Sequence, residues 1–357
     1  MALQNLLVQN LRIIESLELP LAEDANLFYG ENGAGKTSIL EAIDFLSRGR
    51  SFRNRRITPL LRKGAEEITV SGHILIDGQP SQLGIQKSSK ETVLHFNHEK
   101  VSTIAEHASH LPVLSIHPDS HQLIQGASLQ RRNYLDWSVF HVKPGFLQDW
   151  RAYNKCLRQR NHVLRQRLTK ELPTWTKQLV ELGETITLAR SEIFEAIIPI
   201  FATYIDKLLP ESRISLEYLQ GWSEDQSLLL ALDQAQEQEL HSKATRYGPH
   251  RADIKIQLND QDAAASASRG QQKLLAASLL LAQVHHLQAH TTRRCIVLLD
   301  DFRAELDHAH AHALMQAIQA LGCQVFITAI EPEQVDLQGW NCTQMFHVKH
   351  GECKPSA

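Results

Sequence analysis

The segment Gly30-Glu31-Asn32-Gly33-Ala34-Gly35-Lys36-Thr37 decides the fold. It is a complete G-x-x-x-x-G-K-[ST] phosphate loop, and it lies between the apolar run Leu27-Phe28-Tyr29 and a segment with apolar residues at helical spacing. The glycines permit a tight turn whose backbone N–H groups point at phosphate oxygens, and the following helix start adds partial positive charge. The sequence therefore predicts a nucleotide site in which Lys36 contacts the β- and γ-phosphates and Thr37 ligates Mg²⁺.

A second signal is the apolar run Ile296-Val297-Leu298-Leu299, which ends in Asp300 and Asp301. A buried carboxylate is unfavourable unless it meets a cation, and a Mg²⁺ ion on the phosphate loop supplies that cation for Asp300. Asp301 is then the candidate for polarising the attacking water. Taken alone, the pair is more typical of a solvated acidic turn after a core strand. Together with the phosphate loop it indicates a catalytic set of Lys36, Asp300 and Asp301, with Thr37 and Asp300 as metal ligands.

A third segment, Ser268-Arg269-Gly270-Gln271, precedes a long apolar helix predicted from about Gln271 to His286. Serine is a preferred N-cap residue, so by itself this segment indicates only a helix start.

Periodicity predicts the architecture of the first two-thirds of the chain. Short strands are expected at Leu3 to Val8 and Ile13 to Leu19, and alternation over 66–98 predicts an antiparallel subdomain. Apolar residues then recur every three or four positions over 146–209, with a break at Leu172-Pro173. This pattern predicts two long helices packed as an antiparallel hairpin.

The α/β pattern resumes after the hairpin. Apolar strands at Cys295 to Asp300 and Cys323 to Thr328 are separated by a predicted helix, an order that favours parallel pairing in a buried sheet. We therefore expect an α/β head with an antiparallel β subdomain and an inserted helical arm. The predicted bounds are 1–120 and 241–357 for the two parts of the head and 121–240 for the arm.

Composition sets broad limits on the protein. The chain has 357 residues, 43% of them apolar, which is enough for a large core without disulfides or structural metals. Its five cysteines are odd in number and never form a CxxC pair, and no segment is typical of a membrane span or signal peptide. We expect a cytoplasmic protein without a membrane partner.

Charge is unevenly distributed along the chain. The net charge of −3 argues against a whole surface that binds nucleic acid. However, residues 48–63 carry seven Lys and Arg and no acid, and residues 131–170 carry ten against two acids. Such blocks are either solvated faces or local nucleic-acid contacts. The candidates for DNA contact are Arg53, Arg55, Arg56, Arg158 and Arg165.

Five segments in order resemble the RecF family of bacterial DNA repair proteins, whose heads are similar to those of SMC and ABC-type ATPases. They are GENGAGKTSILEAIDFLSRGRSF from Gly30, Pro118-Asp119 through Leu135-Asp136, GPHR at 248–251, SRGQQKLL from Ser268 and LLDDFRAELD from Leu298. The resemblance spans about residues 1–330 and implies an ABC-type ATPase head with a short helical arm.

The resemblance implies a function and a set of partners. It implies an ATP- and Mg²⁺-dependent homodimer that binds single- and double-stranded DNA at gaps and junctions. Such a protein acts with RecO and RecR to load RecA during DNA replication, DNA damage repair and the SOS response. In this family type, Ser268, Arg269, Gly270 and Gln271 complete the nucleotide site of the partner copy, and Ala304-Glu305-Leu306-Asp307 resembles the loop that follows the acidic strand.

The resemblance also implies a weak, DNA-stimulated ATPase used as a switch. The second acid after the strand is Asp301 where relatives usually have Glu, and Thr328 stands where many have a histidine. Both departures favour slow hydrolysis that times dimer release.

Three other functions are weighed against this one. A transporter subunit requires a glycine-rich signature where this chain has SRGQ, and it does not carry a long helical insertion. A nuclease fused to such a head is disfavoured because the sequence ends soon after the last predicted strand. A DNA clamp without hydrolysis stays open.

Overall fold

A computed structural model describes residues 2–54, 56–76, 78–303 and 306–356. The chain forms two compact units. The first contains the residues up to Ser120 together with those from Leu287 onward, and the second runs from His121 to His286.

The strands among these residues are β1 (Ala2–Leu3), β2 (Asn5–Leu11), β3 (Ile14–Pro20), β4 (Ala25–Tyr29), β5 (Glu67–Ile76), β6 (Gln79–Ser88), β7 (Thr92–Phe96), β8 (Glu99–Lys100), β9 (Val113–Ile116), β10 (Ile214–Leu219), β11 (Asp253–Leu258), β12 (Gln261–Asp262), β13 (Ile296–Leu299), β14 (Gln324–Ala329), β15 (Thr343–Lys349) and β16 (Glu352–Pro355). The helices are α1 (Lys36–Arg48), α2 (Ile104–Ser109), α3 (Gln122–Gln125), α4 (Ser128–Val142), α5 (Phe146–Gln166), α6 (Leu172–Leu208), α7 (Leu228–Ser242), α8 (Ala263–Ser266), α9 (Arg269–His290) and α10 (His308–Ala320). No helix in this part of the chain combines the length and apolar character needed to cross a membrane.

The first unit contains a largely parallel sheet with the strand order β16-β15-β4-β14-β13-β9. Its central strands β13 and β14 are buried along their whole length, which explains their almost continuous apolar sequences. Because β4, β14 and β13 run parallel, the phosphate loop after β4 and the acids after β13 lie at the same sheet edge, with the end of β14 between them. This topology assembles the candidate site.

A second sheet of the first unit is antiparallel, with the order β3-β2-β5-β6-β7-β8 and β1 paired to β5. Residues of α1, including Ile39, Ile43 and Leu46, are fully buried in one core cluster with apolar residues of both sheets. The phosphate-loop helix is thus fixed between the sheets by packing. The predicted α/β head with an antiparallel subdomain is confirmed.

In the second unit, α5 and α6 form the predicted antiparallel hairpin. The structure adds β10 and α7, which sequence periodicity did not single out, and β10 pairs antiparallel with β11. This pairing makes β11 part of the second unit, which begins at the predicted arm boundary but continues past 240 to His286. The domain bounds 1–120, 121–240 and 241–357 stay a prediction.

Candidate functional site

The phosphate loop has the backbone geometry that its sequence predicts. Gly30, Gly33 and Gly35 have φ angles of 147°, 80° and 113°, and a Cβ atom on Gly30 would lie 2.3 Å from the Val348 carbonyl oxygen. A side chain at Gly30 is therefore excluded by both strain and space. The helix α1 begins at Lys36 and has no side-chain N-cap. The Ser38 N–H donates to the Gly35 carbonyl at 3.0 Å, so the N–H groups of Lys36 and Thr37 are the candidates for contact with an anionic ligand.

Lys36 is buried and bends back over its own loop. Its Nζ donates hydrogen bonds to the carbonyl oxygens of Gly30 at 2.6 Å and Glu31 at 2.9 Å. Burial lowers the pKa of Lys36, while the charges of Asp301 and Asp300 oppose the shift. The ammonium group therefore lies in the field of both acids, and its present partners are carbonyl oxygens that phosphate oxygens can replace.

Asp300 is the centre of a hydrogen-bonded cluster at the sheet edge. Its Oδ1 accepts bonds from the hydroxyl groups of Thr37 at 2.8 Å and Thr328 at 2.9 Å. Burial raises the pKa of Asp300, the two threonine bonds act against this rise, Asp301 adds to it and Arg53 opposes it. The carboxyl group is thus oriented by two donors, while its burial disfavours the ionised form. A bound cation would stabilise that form.

The donor set of this cluster fits Mg²⁺. A hydroxyl and a carboxylate are hard oxygen ligands, and their 2.8 Å separation allows both to face one ion. Among the described residues there is no group of three or more His, Cys, Asp or Glu suited to holding a metal. The residues therefore fit an ion that takes its other ligands from phosphates and water.

Asp301 has a strained backbone. Its φ angle is 43°, in the left-handed region that non-glycine residues seldom adopt, and its N–H donates to the Thr328 hydroxyl at 2.9 Å. Strain of this kind persists only where surrounding bonds enforce it. Asp301 is exposed, so its carboxylate is accessible to water.

The signature segment lies in the second unit and forms a capping box at the start of α9. The Ser268 hydroxyl accepts a bond from the Gln271 N–H at 3.3 Å, and the Gln271 side chain accepts one from the Ser268 N–H at 2.9 Å. Ser268 and Arg269 are exposed. The structure thus shows the ordinary helix start, and a contact with nucleotide in a partner copy stays a prediction.

The basic residues predicted to contact DNA fall in two places. Arg53 and Arg56 are exposed in the first unit, and Arg55 lies outside the described residues. The charge of Arg53 acts on Asp300, so this residue lies beside the nucleotide site, which the charge pattern alone did not indicate. Arg158 and Arg165 are exposed on α5.

The GPHR segment has a supporting role in the second unit. His250 bonds through Nδ1 to the Tyr153 hydroxyl at 2.6 Å and through Nε2 to the Thr245 carbonyl at 3.2 Å. Burial is the main cause that lowers the pKa of His250 to about 4, so the ring is neutral near pH 7. Arg190 donates to the Pro249 carbonyl at 2.6 Å. These contacts hold the turn before β11.

Two further features are the loop that follows the acidic strand and Thr328 at the end of β14. Ala304 and Glu305 of the loop after the acidic strand lie outside the described residues. Asp307 of the same loop caps α10, since its carboxylate accepts bonds from the N–H and the ring of His310. Sequence analysis singled out Thr328 only as a departure from the family pattern and did not predict its bonds to Asp300 and Asp301. Its polarity at the end of a buried apolar strand was the available signal.

Comparison with known proteins agrees with this geometry. The family described as the RecF/RecN/SMC N-terminal domain matches residues 2–354. The DNA replication and repair protein RecF of Thioalkalivibrio sulfidiphilus is 40% identical over 358 residues, with 98% of each chain covered. RecF of Pseudomonas aeruginosa is 36% identical over 359 residues, covering 99% of this chain and 97% of the relative.

Solved structures give the same result. The recombination mediator protein RecF bound to ATP, described in the RecFOR pathway, aligns with a TM-score of 0.87 at 26% identity over 100% of this chain and 98% of that one. The Smc head of Pyrococcus furiosus aligns with a TM-score of 0.58 at 16% identity over 99% and 96%, which shows a shared fold alone. The fold is that of an SMC and ABC-type ATPase head, and the chain belongs to the RecF family of DNA replication and repair proteins.

Proposed function

We propose that this chain is an ATP-dependent DNA-binding protein of recombinational repair and replication restart. It recognises single-strand gaps and duplex junctions in the cytoplasm and helps RecO and RecR to load RecA. ATP drives pairing of two heads, and slow hydrolysis resets them. The observation that carries the proposal is the convergence of Lys36, Thr37, Asp300 and Asp301 at one sheet edge, in a chain whose relatives include a RecF bound to ATP.

Different site residues take part in phosphate binding, in metal binding and in activation of the attacking water. The α1 N-terminus and Lys36 bind the β- and γ-phosphates after Lys36 exchanges its two carbonyl partners for phosphate oxygens. Thr37 and Asp300 would hold Mg²⁺, which when bound would neutralise charge on these phosphates. The Asp301 carboxylate orients the attacking water and accepts its proton.

The signature acts on the nucleotide of the partner copy. The Ser268 oxygen already accepts the Gln271 N–H, so the hydroxyl proton remains available to donate to a phosphate oxygen. Ser268 also stands at the N-terminal end of a 22-residue helix, where an anion is favoured. Pairing of heads therefore depends on nucleotide, because each head lacks the donors that the other supplies.

DNA contact is assigned to an exposed basic stripe on α5. Arg151, Lys155, Arg158, His162 and Arg165 recur every three or four residues and are all exposed. The stripe extends over about 21 Å at 1.5 Å per residue, enough to contact several phosphates of one strand. Arg53, Arg55 and Arg56 are the candidates for contact in the first unit. Such contacts select DNA by structure and charge, since phosphates carry no sequence information.

The proposal is tested by measuring binding to gapped, duplex and single-stranded DNA, each with and without ATP and RecR. We expect the tightest binding to gapped DNA in the presence of ATP. Equal affinity for all three substrates in every condition would contradict gap recognition.

The stripe has its own test with a matched control. Arg158→Glu with Arg165→Glu should lower the slope of log affinity against log salt by roughly two for duplex DNA, because two phosphate contacts are lost. Lys177→Glu with Lys207→Glu makes the same change in net charge at exposed positions of α6. If both pairs alter the slope equally, the effect comes from net charge and not from the stripe.

A further inference from the structure

We propose that Thr328 is a positioning residue for ATP hydrolysis, which holds Asp300 and Asp301 in their working arrangement through one hydroxyl group. The inference rests on the proposed ATPase function and adds to it a residue that neither the phosphate loop nor the acid pair includes. Thr328 belongs to β14, between the strand that leads into the loop and the strand that leads into the acids.

Both hydrogen-bonding functions of the Thr328 hydroxyl are used. The oxygen accepts the Asp301 N–H at 2.9 Å, while the hydroxyl proton is donated to Asp300 Oδ1 at 2.9 Å. The residue is 2% exposed, so both bonds are shielded from water. Valine has nearly the same shape but can make neither bond, and a buried polar group that loses its partner is costly.

The bond to the Asp301 backbone acts on a strained residue. At a φ angle of 43°, Asp301 depends on surrounding contacts to keep its conformation, and Thr328 supplies the one described bond to its N–H. When that bond is removed, the backbone can relax toward negative φ and move the carboxylate. A displacement of about 1 Å in a reacting group is enough to lower a rate by roughly 10²-fold.

The bond to Asp300 acts on the orientation of the carboxylate. Thr37 and Thr328 donate to the same oxygen from two different elements, α1 and β14, at 2.8 and 2.9 Å. Without Thr328, only the Thr37 bond orients this oxygen, and the carboxyl group can rotate away from the position in which it would hold a divalent cation.

The test compares three full-length variants. Thr328→Val removes both bonds, Thr328→Ser keeps the hydroxyl, and Thr343→Val makes the same chemical change at an exposed residue of β15 in the same sheet. The measurements are kcat and KM for ATP, the ATP dissociation constant without a divalent cation, and Mn²⁺ binding to the ATP complex followed by electron paramagnetic resonance.

We expect Thr328→Val to lower kcat by about 10- to 100-fold and to weaken Mn²⁺ binding, with ATP affinity in the absence of metal changed less than about twofold. Thr328→Ser should recover most of both losses, and Thr343→Val should resemble the unmodified protein. If Thr328→Val does not fold, Thr328→Ala replaces it in the same comparison with Thr328→Ser.

Two results would overturn the inference. One is a folded Thr328→Val protein with unchanged kcat and Mn²⁺ binding. The other is a Thr328→Ser protein as impaired as Thr328→Val, since that assigns the effect to side-chain shape. Failure of the unmodified protein to bind ATP is a separate outcome, which refutes the proposed function and not the role of Thr328 alone.

Discussion

The two segments assigned to nucleotide contact differ in how their polar groups are satisfied. At the acidic strand end, Asp300 takes its partners from residues far along the chain, including Thr37, which is 263 residues away. In the signature segment, the side chains of Ser268 and Gln271 each bond to the backbone N–H of the other residue, three residues apart. The first arrangement is an assembled site, whereas the second is a helix start with a hydroxyl proton left to donate. This difference is what the proposal expects, in which one head binds nucleotide and the signature segment of a second head completes the site.

The largest expected effect is on hydrolysis at the assembled site. Asp301→Asn removes the proton acceptor and should lower kcat by about 10²- to 10³-fold, while ATP-dependent dimers persist or last longer. Hydrolysis is measured as phosphate release and dimers as molecular mass. An unchanged rate would show that a group other than Asp301 activates the water. Absence of hydrolysis in the unmodified protein would favour a DNA clamp without hydrolysis.

The contribution of His250 to the stability of the second unit is expected to be lost at low pH. His250 has a folded-state pKa of about 4, below its usual 6.5, so the folded protein binds fewer protons than the unfolded chain between these values. Stability from this group is therefore complete above pH 6.5 and is lost as the pH falls toward 4, by up to about 3 kcal/mol.

Unfolding of the protein and of His250→Gln across this pH range measures the contribution of His250. The variant should be less stable near pH 7, because the bonds to Tyr153 and Thr245 are altered, but its stability should depend less on pH. Parallel curves for the two proteins would show that other groups cause the loss.

Asp300 is expected to affect stability less than His250 and with the opposite pH dependence. Burial raises its pKa, so the ionised carboxylate destabilises the folded state at neutral pH and this penalty disappears as the pH falls through the raised pKa. Asp300→Asn keeps an oxygen that can accept from Thr37 and Thr328, and should stabilise the nucleotide-free protein by about 1–2 kcal/mol while abolishing hydrolysis.

The stabilisation caused by Asp300→Asn should be smaller at acidic pH, where the Asp300 carboxyl group is protonated in both the folded and the unfolded protein. Denaturant unfolding of the variant and the unmodified protein at neutral and at acidic pH measures this difference. A destabilised variant at neutral pH would mean that the ionised carboxylate is already well compensated in the nucleotide-free protein.

The smallest expected effect is on the start of α9. Ser268→Ala removes a side-chain N-cap and should lower the free energy of unfolding by about 1 kcal/mol. Ser268→Asp keeps a capping oxygen but adds a negative charge, so it should preserve stability and weaken ATP-dependent pairing. If both variants pair normally with ATP, the segment is a helix cap and nothing more.

The sequence was most informative where structure is local. The phosphate loop, the acid pair and the α5–α6 hairpin depend on short-range motifs and periodicity, and the structure places these elements where the patterns predict them. The segment β10 alternates in its side-chain exposure, yet its pairing with β11 across the intervening α7 was not readable from periodicity.

Long-range register explains what the sequence did not reveal at the site. Thr328 meets Asp300 because β13 and β14 pair with Leu299 opposite Ile327, and no local pattern reports this register. The effect of Arg53 on Asp300 likewise depends on how the chain after α1 returns toward the sheet edge. A polar contact made by one residue of an otherwise apolar strand is therefore the feature of this site that is hardest to predict from the sequence.

The central claim, that each complete site is shared between two copies, has a direct test by mixing. Lys36→Ala has a defective phosphate loop and an intact signature, whereas Ser268→Arg has the reverse, so neither should hydrolyse ATP alone. Mixed in equal amounts, they form a dimer with one intact composite site, and hydrolysis should return to about one quarter of the unmodified rate for a symmetric dimer. No recovery in a mixture whose two proteins are folded, and whose Ser268→Arg member binds ATP, would contradict the shared site.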